Sequence, residues 1–244
     1  MVPISYVRLI DDESMEIIDS YKLAQNEGCG SLISCKFKDD DNEYYAVGAT
    51  EVKEDEPEPT RGRILVFQIV NKKLVLRASR KVNGAVYSLA SFRGGLLAGI
   101  SSTLLLLTYT STRDEGKLTI ECGCHSHVAV LLIRSYGDFI LTGDLVQSLS
   151  VFQYKESGYQ KQIELMANDD NPAWLSAAEM LDLDNFLGAQ SSCYNLFLCQ
   201  RNADATDEEH AKHLLPAGGF HLGELVNQFR FGSLAMQLPV GRGK

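Results

Sequence analysis

The chain has 244 residues, 45% of them apolar and 23% charged, with a formal net charge of −9. That length supports a full core without disulfide staples, which excludes a small disulfide scaffold. No apolar run approaches the roughly 18 residues of a membrane-spanning helix, Met1-Val2-Pro3-Ile4-Ser5 reads as no signal peptide, and the acid excess argues against autonomous binding to a phosphate backbone.

Taken in order, the apolar runs fall into a repeating unit. A partial unit spans residues 6–23, and a first full unit follows with strand-like runs at 32–35, 44–48, 63–68 and 74–79. Polar breaks at Asp40-Asp41-Asn42 and Asn71-Lys72-Lys73 separate them. The second unit reads 86–89, 96–99, 104–109 and 118–121, with a break at Arg93-Gly94-Gly95. The third reads 128–131, 139–143, 149–154 and 162–165, with a turn at Ser157-Gly158. The fourth reads 174–177, 186–188 and 194–199, broken by Asp182-Leu183-Asp184. Thr206-Asp207-Glu208-Glu209 then reads as a capping box opening a helix through Leu215, stopped by Pro216, inside an insertion. A second partial unit covers 225–238.

The second run of each unit ends on a glycine, at Gly48, Gly99, Gly143 and Gly188, spaced 51, 44 and 45 residues apart. The third runs are rich in the β-branched and aromatic residues that suit a pleated surface, and the fourth runs are more polar, as outermost strands are. Antiparallel strands recurring in fours at this period predict an all-β fold, a partial WD40-like β-propeller with four-stranded blades and one short helix. Coiled coils and α-solenoids are disfavoured. The expected domain is an incomplete propeller over residues 1–238 followed by a divergent tail at 239–244, a piece of a larger protein or a shortened reading frame. Two unpaired blade faces are then expected to be exposed.

Candidate chemistry is sparse. Six cysteines (Cys29, Cys35, Cys122, Cys124, Cys193, Cys199) lie mostly in apolar runs and read as buried free thiols of a reducing compartment. Cys122-Gly123-Cys124-His125-Ser126-His127 is metal-like in composition, but Cys-x-Cys at a strand end lacks the spacing of a zinc finger or ribbon. His210 and His213 read as exposed helix residues. The acidic runs around Asp39-Asp40-Asp41 and Asp169-Asp170-Asn171 read as solvated turns and not calcium loops. Phosphate-loop, dinucleotide, nucleophile-elbow and zincin motifs are absent, so no enzyme and no cofactor is expected. A hydrolase on this scaffold would have to use His125 or His127.

Gly84-Ala85-Val86-Tyr87-Ser88, Gly137-Asp138-Phe139-Ile140-Leu141, Asn171-Pro172-Ala173-Trp174, Asp184-Asn185-Phe186-Leu187-Gly188-Ala189 and Phe220-His221-Leu222-Gly223-Glu224 resemble the large subunit of the UV-damaged DNA-binding complex. The wider superfamily includes subunits of splicing and polyadenylation factors, which leaves an RNA-processing subunit as the alternative. The resemblance implies a non-catalytic adaptor for a cullin-four RING ubiquitin ligase, present in the nucleus and also the cytoplasm. It implies that the cullin binds a propeller missing from this chain and that WD40-type substrate receptors dock in a clamp whose third, C-terminal propeller this segment matches. A smaller damage-binding subunit reads the lesion, so nucleic acid is met only indirectly, and no membrane is involved.

By the same resemblance Trp174 offers a rigid docking face and Asn227 a hydrogen-bonding group, with Leu131, Leu145, Ala85 and Tyr87 as an apolar floor. Pro57 and Glu58 form an acidic rim that favours basic receptors. Taken alone, Trp174 reads as core packing and Asn227 as a solvent-facing strand residue. Gln147 and Asn168 stand where the family commonly carries basic residues.

Overall fold

The computed structural model describes residues 4–38, 40–111, 116–126, 128–205 and 207–232. A hairpin of β1 (Tyr6–Ile10) and β2 (Ile17–Lys22) comes first. The first blade contains β3 (Glu27–Cys35), β4 (Tyr44–Glu51), β5 (Arg61–Val70) and β6 (Lys73–Val82). The second contains β7 (Val86–Phe92), β8 (Gly95–Ile100), β9 (Thr103–Ser111) and β10 (Gly116–His125). The third contains β11 (Val130–Tyr136), β12 (Phe139–Asp144), β13 (Leu149–Ser157) and β14 (Gln160–Asn168). The fourth contains β15 (Leu175–Met180), β16 (Asn185–Gln190), β17 (Asn195–Arg201) and, after α1 (Glu208–Ala211), β18 (Leu214–His221).

Each blade is an antiparallel sheet whose strands pair in sequence order, so only short turns are needed. Consecutive left-handed residues at Asn71 and Lys72, and again at Arg93 and Gly94, give the primed hairpin turns that match strand twist. The first strands lie side by side in the order β3, β7, β11, β15, which makes them the innermost layer of a partial propeller. The core is divided accordingly. One cluster lies between the first and second blades, one between the second and third, and one between the third and fourth. The β1–β2 hairpin seals the back of the first blade by packing Val7 and Leu23 with Val47, Ala49, Leu65 and Phe67.

The recurring glycine has a steric reason. A Cβ built on Gly48 would lie 2.5 Å from Val86 Cγ1; on Gly99 it would lie 2.6 Å from the Val130 carbonyl oxygen; on Gly143, 3.1 Å from Leu175 Cδ1. Each is a notch that admits the leading apolar residue of the next blade. The leading residue always precedes a β-bulge in its strand, at Cys29/Ser31, Val86/Ser88, Val130/Leu132 and Leu175/Ala177. The residue after the bulge pairs with Gly48, Gly99, Gly143 and, in the fourth blade, Ala189.

Three readings of the sequence are corrected by the structure. Ala189, and not Gly188, occupies the fourth notch position; Gly188 pairs with Phe197, whose ring takes the space a Cβ would need. The helix is a single turn capped by Asp207, whose side chain accepts from the Glu209 N–H, and Thr206 lies outside the described residues. Leu214, Leu215 and Pro216 belong to β18, with Pro216 beside its bulge, because strand pairing with β17 outcompetes a short unsupported helix. Residues 225–232 carry no strand, and 233–244, including the expected tail, lie outside the described residues.

Gly99→Ala is expected to lower the unfolding free energy by about 2 kcal/mol through overpacking against Val130. Gly218→Ala, where an added Cβ meets nothing within 4 Å, is expected to change it by less than about 0.5 kcal/mol. Urea denaturation of the two variants checks the contrast.

Candidate protein-docking end

The segment entering each first strand is fixed by the loop after the second strand of its own blade. Ser101 N–H donates to the Ala85 carbonyl (2.8 Å), Leu145 N–H to that of Ala129 (3.3 Å) and Ser191 N–H to that of Trp174 (2.8 Å). Ala85, Ala129 and Trp174 are therefore equivalent positions in successive blades. Two residues on, Tyr87, Leu131 and Ser176 are the extra residues of the bulges, which re-aim their side chains away from the ladder. Most of the residues expected at a docking site thus share one end of the propeller, where the first strands begin.

The side chains differ in what they present. Trp174 is 58% exposed and Leu145 44%, while Tyr87 and Leu131 are half-buried. Trp174 lies just before β15, so it is not core packing. Ala85 is fully buried, so its side chain supports the floor from beneath and offers no contact surface. Val128 and Val146, at 44% and 37% exposure, extend the apolar surface beside Leu145. Sequence reading placed Val128 inside a strand and passed over Val146, and the only signal for them was their position flanking Ala129-Val130 and Asp144-Leu145.

Asp144 holds this surface together. Its side chain is 1% exposed. One oxygen accepts from Val128 N–H (2.8 Å) and Ala129 N–H (2.9 Å), the other from Val146 N–H (2.9 Å) and Gln147 N–H (3.2 Å). A carboxylate so surrounded by donors is stable in the interior and ties two loops into one platform. Ala173 N–H donates to the Val146 carbonyl, and Gln147 bridges to Ala173, which carries the platform to Trp174.

Pro57 and Glu58 lie exposed in the β4–β5 loop. Burial pushes the Tyr87 hydroxyl pKa up, and the Glu58 charge pushes it further in the same direction. Within the loop Lys53 pairs with Glu51 and Glu56. Glu54, Asp55 and Glu58 are exposed. Asn227 is exposed on the segment after Gly223, and among the described residues no hydrogen bond or ion pair joins it to Trp174.

Gln147 and Asn168 make backbone bridges to Ala173 and His213 of the fourth blade. The Asn168 side chain also donates to Asp170 (2.8 Å), which in turn meets His213.

The remaining candidates resolve as structure. Asp40 accepts from the Asn42 N–H and side-chain amide and from the Tyr44 hydroxyl, closing a turn. Asp169 is a correction: it is 4% exposed and not solvated, and it accepts from the Ser148 hydroxyl (2.7 Å) and from Asn171. His210 pairs with Asp207 and His213 with Asp170, so the two histidines face different partners. His125 is exposed with Thr103 Oγ1 3.4 Å away, and His127 lies outside the described residues. Cys122 and Cys124 pack against the core between the second and third blades. Burial, with a smaller contribution from Cys122, pushes the Cys124 thiol up to about 12. Burial likewise raises Cys35 to about 11, and burial with Asp169 alongside raises Cys199 to about 12. Two of the six thiols, Cys29 and Cys193, are exposed, against the expectation of general burial.

The chain matches the CPSF A subunit region over residues 4–242. It belongs to that family. It is 45% identical over 237 residues to DNA damage-binding protein 1 of Solanum lycopersicum, covering 96% of this chain and 21% of that protein. It is 45% identical over 238 residues to DNA damage-binding protein 1a of Arabidopsis thaliana, and 43% over 235 residues to DNA damage-binding protein 1 of Oryza sativa subsp. japonica, with the same coverage. The chain spans about a fifth of the length of these relatives. The kinship read from the Asn-Pro-x-Trp and Phe-His-Leu-Gly-Glu motifs is therefore correct, within the family that includes the RNA-processing subunits.

Asp144→Ala is expected to cost about 3 kcal/mol, because four N–H groups lose their carboxylate acceptor in a buried site. Urea denaturation measures the loss, and amide exchange should accelerate at Val128, Ala129, Val146 and Gln147. With an aromatic disulfide reagent at pH 8, Cys193 should react in the native protein. Cys35, Cys124 and Cys199, protonated at that pH, should react only after unfolding.

Proposed function

We propose that this chain is the receptor-docking part of a DNA damage-binding adaptor, and that its work is recognition without catalysis. The observation that carries the reading is the Asp144-anchored apolar platform, on which Leu145, Val146 and Val128 are exposed and to which exposed Trp174 is tied through Ala173. A short helix or loop of a substrate receptor would insert here, with Trp174 as the desolvated anchor and Glu54, Asp55 and Glu58 selecting basic flanks. Asn227 would supply a polar contact to the incoming backbone. Pro57 would stiffen the rim.

The name of the relatives supports a role in DNA damage. By family resemblance the complete protein would serve a cullin-four RING ubiquitin ligase in the nucleus and cytoplasm. The cullin would be held by a propeller outside this chain, and a smaller damage-binding subunit would contact DNA. The net charge of −9 agrees with lesion reading by that subunit instead of this segment. The family description, CPSF A subunit region, favours a second reading, a propeller subunit of a splicing or polyadenylation complex.

Affinity purification of the full-length protein separates the two. Recovery of cullin and WD40-type receptors is expected; recovery of splicing or polyadenylation factors without cullin would establish the second reading. Trp174→Ala is expected to reduce receptor recovery by about tenfold or more, the scale of one interface anchor, with cullin recovery unchanged. Unaltered capture of several receptors would remove Trp174 from the site.

A further inference from the structure

The outer strand of the first blade has a character that neither the docking end nor the fold explains. β6 is the last strand in the order β3-β4-β5-β6, so one side of its backbone faces outward. The stretch Asn71-Lys72-Lys73-Leu74-Val75-Leu76-Arg77-Ala78-Ser79-Arg80-Lys81-Val82-Asn83 holds five cations and no acid, in a chain whose net charge is −9. Among the described residues none of these cations has a carboxylate within ion-pairing distance. Arg77 donates to the Gln68 side-chain oxygen (2.8 Å) and Arg80 to the Leu118 carbonyl (2.6 Å), both neutral acceptors. Lys72 has only a weak influence on Asp11.

In the third blade, by contrast, the cations are matched, Arg134 pairing with Glu179. On β14 Lys161 pairs with Glu121 and Glu156, and Lys155 of β13 pairs with Glu164. Charge on an edge strand repels strands of like charge, which protects against self-association. The same charge selects a strand of opposite sign. Arg80 pairs across the ladder with Ile64, and Lys81 with Arg63, so these neighbours project to opposite faces of the sheet. An added strand would therefore meet cations above and below it. At one end the chain already uses an acid here: the Asp19 carboxylate accepts the Leu74 N–H at 2.8 Å. From Val75 to Val82 no such intramolecular cover is present among the described residues.

We propose that the outer edge of β6 is a docking strand for an extended acidic segment of a partner protein, which joins the first blade as a fifth strand. The backbone edge supplies affinity through ladder hydrogen bonds. Lys73, Arg77, Arg80 and Lys81 supply selectivity for Asp and Glu at alternate positions. An extended peptide fits better than nucleic acid, because only a polypeptide can complete the ladder and the acidic remainder of the chain repels a polyanion.

The test uses the purified chain and a fluorescent peptide alternating Glu and Val, read by anisotropy. Saturable binding is expected, and N-methylation of alternate peptide amides should abolish it while leaving the charge intact. Lys73→Glu with Lys81→Glu should weaken binding by about tenfold, the scale of two exposed ion pairs turned repulsive. Lys155→Glu, on another blade, should leave it unchanged. Both lysines of the double variant are exposed, and urea denaturation confirms that the fold survives. Equal affinity for the N-methylated peptide, tighter binding of single-stranded oligothymidylate than of the peptide, or no saturable peptide binding would each overturn the proposal.

Discussion

The fold rests on a contact between backbone and side chain. Where a following blade presses its leading residue, Val86, Val130 or Leu175, onto the second strand of the preceding one, the closest approach leaves no room for a Cβ at Gly48 and Gly99 and little at Gly143. Glycine at Gly48, Gly99 and Gly143 is the consequence, and the close approach brings the bulged first strands together around the axis. The stability of the array then comes from three apolar layers of the same kind between blades, more than from any single core.

That repeating contact also explains how one end of the molecule comes to present the side chains proposed for docking. The bulge after each leading residue lets one side chain per blade escape the ladder, and the position before it is tied to the second-to-third loop. Equivalent backbone sites therefore carry Ala85, Ala129 and Trp174, or Tyr87, Leu131 and Ser176, with no change to blade packing. Structural demand is met by the glycine notch and the leading residue. Side chains one residue to either side are free to vary. Asp144 adds rigidity at the centre, because a buried carboxylate filled by four backbone donors holds two loops in one arrangement.

The first three strands of every blade, the outer strands of the first three and the polar turns between them were legible, since alternating apolar runs and Gly or Asn at left-handed turns are local signals; the outer strand of the fourth blade, β18, was not. The fourth glycine was misleading: Gly188 continues the apparent period, yet the bulge register places Ala189 in the notch. A one-residue slip of that kind reverses which face each side chain serves, and nothing local to 186–189 distinguishes the two registers. The helix was overextended because Leu214 and Leu215 suit either structure, and only pairing with β17 decides between them. Asp169 looked like a solvated acid beside Asp170. Its burial depends on Ser148, which lies 21 residues earlier in the chain.

By itself the sequence determined the all-β class, the four-strand period, the acidic charge and the motifs that place the chain in its family, because each is written in composition or in short-range pattern. The tertiary structure decided which of the expected site residues reach the surface. Ala85 and Trp174 occupy the same backbone position, yet one is sealed beneath the floor and the other stands 58% exposed. Asp144 acquired its four backbone donors, and Asp169 its burial beside Ser148, only once the chain was folded. Exposure and pairing are set by groups tens of residues away in the chain, and a linear pattern carries no measure of that distance in space.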